Sequence, residues 1–235
     1  RNSAVDVVTV AGANVGVSIP IFVLGLLMAY IFAVALKGSP IALPPSGRLS
    51  PGITIVPLVQ RWGLETMQGP PRAFIDFISN IYTLNALLTA QWSVFGDALR
   101  HMILPAFTLA TVPLAIIARI TRSSLLDVLG LDYIRTARAK GLGDRGVVRR
   151  HGLPNAILPV VTIIGIQLGS LFGGAVLTET IFNLAGVGRA VSEAIALRDY
   201  AVVQGFVLVI AIGYLLLNLL VDISYAYLDP RVRLT

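Results

Sequence analysis

Cysteine is absent from this 235-residue chain, so neither a disulfide framework nor a thiolate metal site is available, although compartment stays open. Charge is scarce too. Asp, Glu, Lys and Arg together supply 13% of the residues, where a soluble domain averages about 25%. The histidines are His101 and His151; read in sequence, neither has a carboxylate or a second histidine at ligand spacing, and no metal site is expected. A G-x-x-x-x-G-K-[ST] phosphate loop is missing, since Gly141, Gly143 and Gly146 lack both the lysine and a preceding strand. The chain is therefore not expected to hydrolyse ATP itself. No repeat of 20 to 50 residues, low-complexity tract or signal peptide appears. The opening residue is Arg1 rather than Met, which reads as a chain cut from a longer one.

Apolar residues are plentiful: 56% of the chain, with mean hydropathy +0.83. Long apolar runs cover residues 10–36, 102–121, 154–177 and 201–227, each of the order of the ~20 residues that cross a bilayer. A barrel strand would alternate polarity, whereas Ile19 to Leu27 is apolar on every face. The expectation is an all-α, polytopic transmembrane bundle of four spans forming one domain over residues 1–235. A soluble enzyme is excluded.

The formal charge of +6 would raise nucleic acid as a partner in a soluble protein; the positions of the basic residues point elsewhere. Arg119, Arg122, Arg135, Arg138, Lys140, Arg145, Arg149 and Arg150 crowd the connection between the second and third runs. Short basic loops stay in the cytoplasm, which places 122–153 inside. The connection 37–101 exceeds the roughly 60 residues over which that rule operates, and Glu65, Asp76 and Asp97 dilute its cations, so it is placed outside. Four crossings then leave both ends inside, in agreement with Arg1, Arg231 and Arg233. Residues 73–88 are not counted as a span. Phe74, Phe77, Ile78, Ile81 and Leu88 share one helical face while Asp76, Ser79, Asn80 and Thr83 share another, which predicts an amphipathic helix on the outer surface of the membrane or over the mouth of the bundle. Residues 38–52 read as irregular loop.

Within the third run, Gly165, Gly169 and Gly173 recur at four-residue steps, with Gly174 adjacent. Small residues so spaced let helix backbones approach closely, either inside this subunit or against a second chain. Gln167, on another face, lines a pathway or satisfies a neighbouring helix. Asp222, four residues after Asn218, is an intramembrane acid. Its depth near the inner end favours a structural pair with Arg122 or Arg119 over a transport role. Glu179, Arg189, Glu193, Arg198 and Asp199 fall in the outer connection, either solvated or in contact with a partner.

The most informative stretch is 132–159, DYIRTARAKGLGDRGVVRRHGLPNAILP. Residues 133–140 read as a helix ended by Gly141, and a second piece runs from 144 to 151. The product is a basic knob on the inner side, suited to docking a protein or resting on anionic lipid. Its spacing resembles the cytoplasmic loop of membrane subunits of bacterial ABC importers: E-A-A, three residues, G, nine residues, I, one residue, L-P. Arg135-Thr136-Ala137, Gly141, His151 and Leu153-Pro154 hold those places, with Arg135, Thr136 and His151 departing in identity. The wording Tyr-Ile-Arg-Thr-Ala-Arg-Ala-Lys-Gly-Leu looks like the dipeptide/oligopeptide/nickel branch. So do Thr121 to Ser124, Glu179 to Phe182, Gly186 to Arg189, Arg198 to Tyr200 and Leu228 to Arg231, apart from Ala185 where proline is common.

The resemblance implies a permease subunit of about six spans whose first two precede Arg1. It implies two separate ATPase subunits that carry the ATP and magnesium, a second homologous permease, and an extracellular or periplasmic substrate-binding protein. It further implies that Arg135, Thr136, Ala137, Arg138, Lys140, Gly141, Leu142, Asp144, Leu153 and Pro154 form the surface gripped by an ATPase, with Gly141 as pivot. The bacterial inner membrane is then the expected location and a peptide the expected substrate. A secondary transporter or channel would instead show paired broken helices or several mid-membrane acids, and a membrane-embedded enzyme a cluster of titratable groups. The spans carry neither pattern.

Overall fold

The computed structural model describes residues 11–12 and 16–228, leaving aside the side chains of 172–174 and 225–228. Every regular element among them is a helix. Helix α1, Ile21–Tyr30, continues through a π-helical segment, Ile31–Ala35. Short helices α2 (Leu58–Arg61), α3 (Pro70–Ser79) and α4 (Tyr82–Leu88) follow the irregular 38–52 stretch. The long α5, Trp92–Leu129, leads to α6 (Asp132–Ala139), α7 (Asp144–Val147) and a second π-helical segment, Val148–Gly152. The chain then forms α8 (Leu153–Ile181), α9 (Val187–Ala196) and α10 (Tyr200–Leu228).

Helices of membrane-crossing length and composition cover Trp92–Leu129, Asp144–Leu171 and Tyr200–Ser224, matching the second, third and fourth expected spans. The first expected span, 10–36, lies partly outside the described residues; its described core is the shorter helix Ile21–Ala35. Helix α5, at 38 residues, is about 57 Å long at 1.5 Å per residue, well beyond the expected 102–121 and the ~30 Å hydrocarbon core. No glycine-linked break interrupts it until Gly130.

Two compact units divide the chain. One takes Leu109–Leu177 with the described parts of Arg1–Ile21 and Gly186–Thr235; the other takes Phe22–Thr108 and Thr178–Ala185. In the first, α8 and α10 meet at glycines. A Cβ on Gly165 would come within 2.6 Å of Val221 Cγ2, and one on Gly169 would overlap the Tyr214 ring. These two residues thus seat α10 inside this subunit, whereas the surroundings of Gly173 fall outside the described side chains. Helix α9 lies against α8 through Gly188, where a Cβ would meet the Val176 backbone at 2.7 Å. Asp199 Oδ1 accepts the Val202 N–H at 3.1 Å and caps α10.

In the second unit the 73–88 stretch is two helices rather than one. Asn80 closes α3, its side-chain amide donating to the Asp76 carbonyl at 3.0 Å. Buried Asn85 then donates to the Ser79 carbonyl at 3.0 Å, satisfying a group that the break would leave orphaned. Of the expected apolar face, Phe74 and Phe77 are 63% and 64% exposed; of the polar face, Ser79 is buried and Asn80 exposed. Gln91 fastens the stretch before α2 by exchanging two hydrogen bonds with Val56, at 3.1 and 3.0 Å.

Arg48 ties together three segments of this unit. Its guanidinium donates to the carbonyls of Ala185 and, at 3.4 Å, Asn80, and lies 5.2 Å from the centre of the Tyr82 ring. The neighbouring Gly47 N–H donates to the Phe182 carbonyl at 2.9 Å, and Phe182 is 1% exposed. Lysine keeps the charge but has no planar fork to span two carbonyls and stack on a ring. Both Arg48→Ala and Arg48→Lys are therefore expected to lower the thermal unfolding temperature in detergent, with Lys recovering less than half the loss. Full recovery by Lys would reduce Arg48 to a simple charge.

Candidate functional site

The knob of α6, α7 and the following π-helical segment is built on a small apolar core. Ile134 and Val147 are fully buried and Ala137 nearly so, with Leu129 and Leu142 packed against them. Asp132 opens α6 where a negative charge suits the helix dipole. Ala139 is the last residue of α6, and Gly141 turns the chain at φ +85°, a conformation that costs other residues about 1–3 kcal/mol. The expected order of helix, glycine and second piece is the order observed. The second piece is α-helical only as far as Val147 and then widens into the π-helical segment that carries Arg149, Arg150 and His151.

The sequence-derived docking residues divide by this core. Ala137 points into it and Leu142 packs on it. Arg135, Thr136, Arg138, Lys140, Asp144, Leu153 and Pro154 are exposed. Arg135 pairs with Asp132 and Arg138 with Asp144, each at 3.3 Å, and Thr136 Oγ1 donates to the Asp132 carbonyl at 3.1 Å. Exposed ion pairs of this kind contribute about 0–1 kcal/mol, so they orient the guanidinium groups rather than hold the knob together. Its attachment is firmer. Gly152 leaves room for Leu125 and Leu129, both 3.3 Å from where its Cβ would stand, and Ser124 Oγ donates to the Ala156 carbonyl at 2.8 Å.

Asp222 is exposed on α10, and the pair expected with Arg122 or Arg119 is not among the ion pairs formed by the described residues. Arg189 pairs with Glu193 at 2.7 Å within α9, and Gln167 is partly buried.

One reading needs correction. His101 does have a carboxylate at helical spacing: Asp97 stands one turn earlier on α5, its Oδ2 3.6 Å from the buried His101 Nδ1. That nitrogen donates to the Asp97 carbonyl oxygen at 2.9 Å. Asp97 also accepts from the Ser50 N–H and Oγ–H, both at 2.7 Å. No group of three or more metal-ligating side chains forms among the described residues. Asp97, Ser50 and Arg100 were passed over because the motif-bearing residues lie elsewhere; the i, i+4 relation of Asp97 and His101 was the available signal.

Comparison with known proteins agrees with this architecture. The chain is 43% identical to the dipeptide transport system permease protein DppB of Alkalihalophilus pseudofirmus and 44% to that of Escherichia coli strain K12. It is 42% identical to the di/tripeptide transport system permease protein DppB of Pseudomonas aeruginosa strain UCBPP-PA14. Each alignment covers 99% of this chain, which spans 62–63% of the length of those relatives. Residues 1–234 match the family model of the binding-protein-dependent transport system inner membrane component, and with its membrane-length helices and glycine-jointed knob the chain belongs to that family.

Proposed function

We propose that the chain is the membrane-spanning part of a permease subunit in an ATP-driven importer of dipeptides or oligopeptides. The observation that carries this is the knob: a buried apolar core beneath a basic exterior, with Gly141 in the left-handed region at the place where the importer loop has its glycine. The names of the relatives supply the substrate class. The chain itself carries out no hydrolysis. Two ATPase subunits would hold ATP and magnesium and grip Arg135 to Asp144, and a second homologous permease would complete the pathway. A substrate-binding protein would deliver the peptide to the outer side. The location is the bacterial inner membrane, with 122–153 and both ends cytoplasmic and 37–101 outside.

The absence of cysteine in this chain makes orientation directly measurable. In a full-length subunit kept otherwise cysteine-free, Lys140→Cys should react with a membrane-impermeant maleimide only after the cells are opened. Glu65→Cys should react in intact spheroplasts. The reverse pattern would overturn the topology. Purification of the tagged subunit should bring down an ATPase pair and a sister permease; their absence from a complex active in transport would overturn the coupling role.

A further inference from the structure

We propose that a cavity in the second compact unit is a subsite for a free dipeptide, which it holds by both charged ends; this rests on the peptide-import reading above. It is an open pocket with a volume of about 370 Å³. Phe32, Leu43 and Pro44 supply apolar wall, and Lys37, Asp97 and Arg100 supply its charged groups. Small-molecule sites run from about 300 to 1,000 Å³, so this volume accommodates a molecule of about two residues.

The polar groups have capacity to spare, and Asp97 and Arg100 are held in place. A carboxylate offers about four lone-pair positions. Asp97 spends two on Ser50, at 2.7 Å each, and those bonds fix its direction while leaving room to accept from an ammonium. A guanidinium has five donors. Arg100 spends one on the Ala42 carbonyl at 3.1 Å. Exposed Lys37 lines the same pocket, and its ammonium makes no hydrogen bond or ion pair among the described residues. Two cations and one anion therefore face a single small volume. A lone anion would meet Asp97 unpaired, and a lone cation would meet Lys37 and Arg100; like charges brought together in this way cost affinity. A free peptide brings a carboxylate for the cations and an α-ammonium for Asp97. Capping either end removes one of the matches.

The test uses the full-length transporter complex in nanodiscs without its binding protein, titrated with Ala-Ala, Ala-Ala amide and N-acetyl-Ala-Ala by ligand-observed NMR. Ala-Ala is expected to bind about tenfold more tightly than either capped form, the size of one charge-assisted hydrogen bond. Lys37→Gln should remove most of the preference for Ala-Ala over its amide and leave the unfolding temperature unchanged, because the ammonium supports nothing else in this chain. Equal binding of free and capped peptides, no binding of Ala-Ala, or an unaltered preference in Lys37→Gln would overturn the proposal. So would native mass spectrometry showing an aminophospholipid retained by the wild type and lost from Lys37→Gln, which assigns the cavity to a lipid headgroup. Uptake of Ala-Ala by the wild-type complex with its binding protein separates the two readings. If uptake occurs and the cavity result fails, only the subsite falls; if uptake fails, the peptide-import reading falls.

Discussion

Gly141→Val is expected to reduce peptide uptake in proteoliposomes by about tenfold or more while the complex still assembles. The backbone at Gly141 has φ +85° and an added Cβ would find nothing within 4 Å, so the penalty in the isolated chain is conformational rather than steric. Left-handed residues other than glycine cost about 1–3 kcal/mol, and β-branched ones lie at the upper end. Each 1.4 kcal/mol drawn from the docking-competent population is a factor of ten. Asparagine tolerates this region best among the others, which gives the order Gly, Asn, Ala, Val if backbone conformation alone decides. The open space around the glycine supplies a second diagnostic. Should an ATPase surface close over it, Asn would lose as much activity as Val, because any side chain then intrudes on the partner. Uptake at the wild-type rate in Gly141→Val would remove the pivot.

Gly169→Ala and Gly188→Ala are expected to destabilise the subunit by about 1–3 kcal/mol or more, the range for overfilling a packed site, but only one of them should be rescued. At Gly169 the obstacle is the Tyr214 ring, a side chain that a mutation can remove. At Gly188 the obstacle includes the backbone nitrogen and Cα of Val176, 2.8 and 2.7 Å from the added carbon, which no substitution at 176 can withdraw. Unfolding temperatures in one detergent should therefore return toward wild type in Gly169→Ala/Tyr214→Ala and stay low in Gly188→Ala/Val176→Ala. Equal rescue at both sites would mean that the helices shift apart to accommodate either methyl group.

The sequence made some of this legible because a single physical rule governs it. Uninterrupted apolar runs announced the later spans, and α8 and α10 fall within a few residues of the expected 154–177 and 201–227. The glycine joint in the knob was legible because a helical pattern stops there. Helix α5 outran its expectation since hydropathy marks where lipid contact ends, whereas the helix carries on through Gly96, Pro105 and Pro113 to Leu129. The break between α3 and α4 was hidden because the side-chain hydrogen bonds of Asn80 and Asn85 that cap it leave no mark on hydrophobic periodicity. The link from Ser50 to Asp97 was hidden because 47 residues separate the partners. The expected meeting of Asp222 with Arg122 rested on depth alone, and Asp222 is exposed on α10.

Among the described residues, none of the most apolar part of Tyr200–Ser224 is buried. Where the described residues leave this rod uncovered, its surroundings act as its solvent. Its folding free energy therefore belongs to a mixture rather than to a molecule. Surfactants of different tail length, or a companion rod laid alongside, act on it as a change of solvent acts on a salt, and melting points gathered in different micelles measure different equilibria.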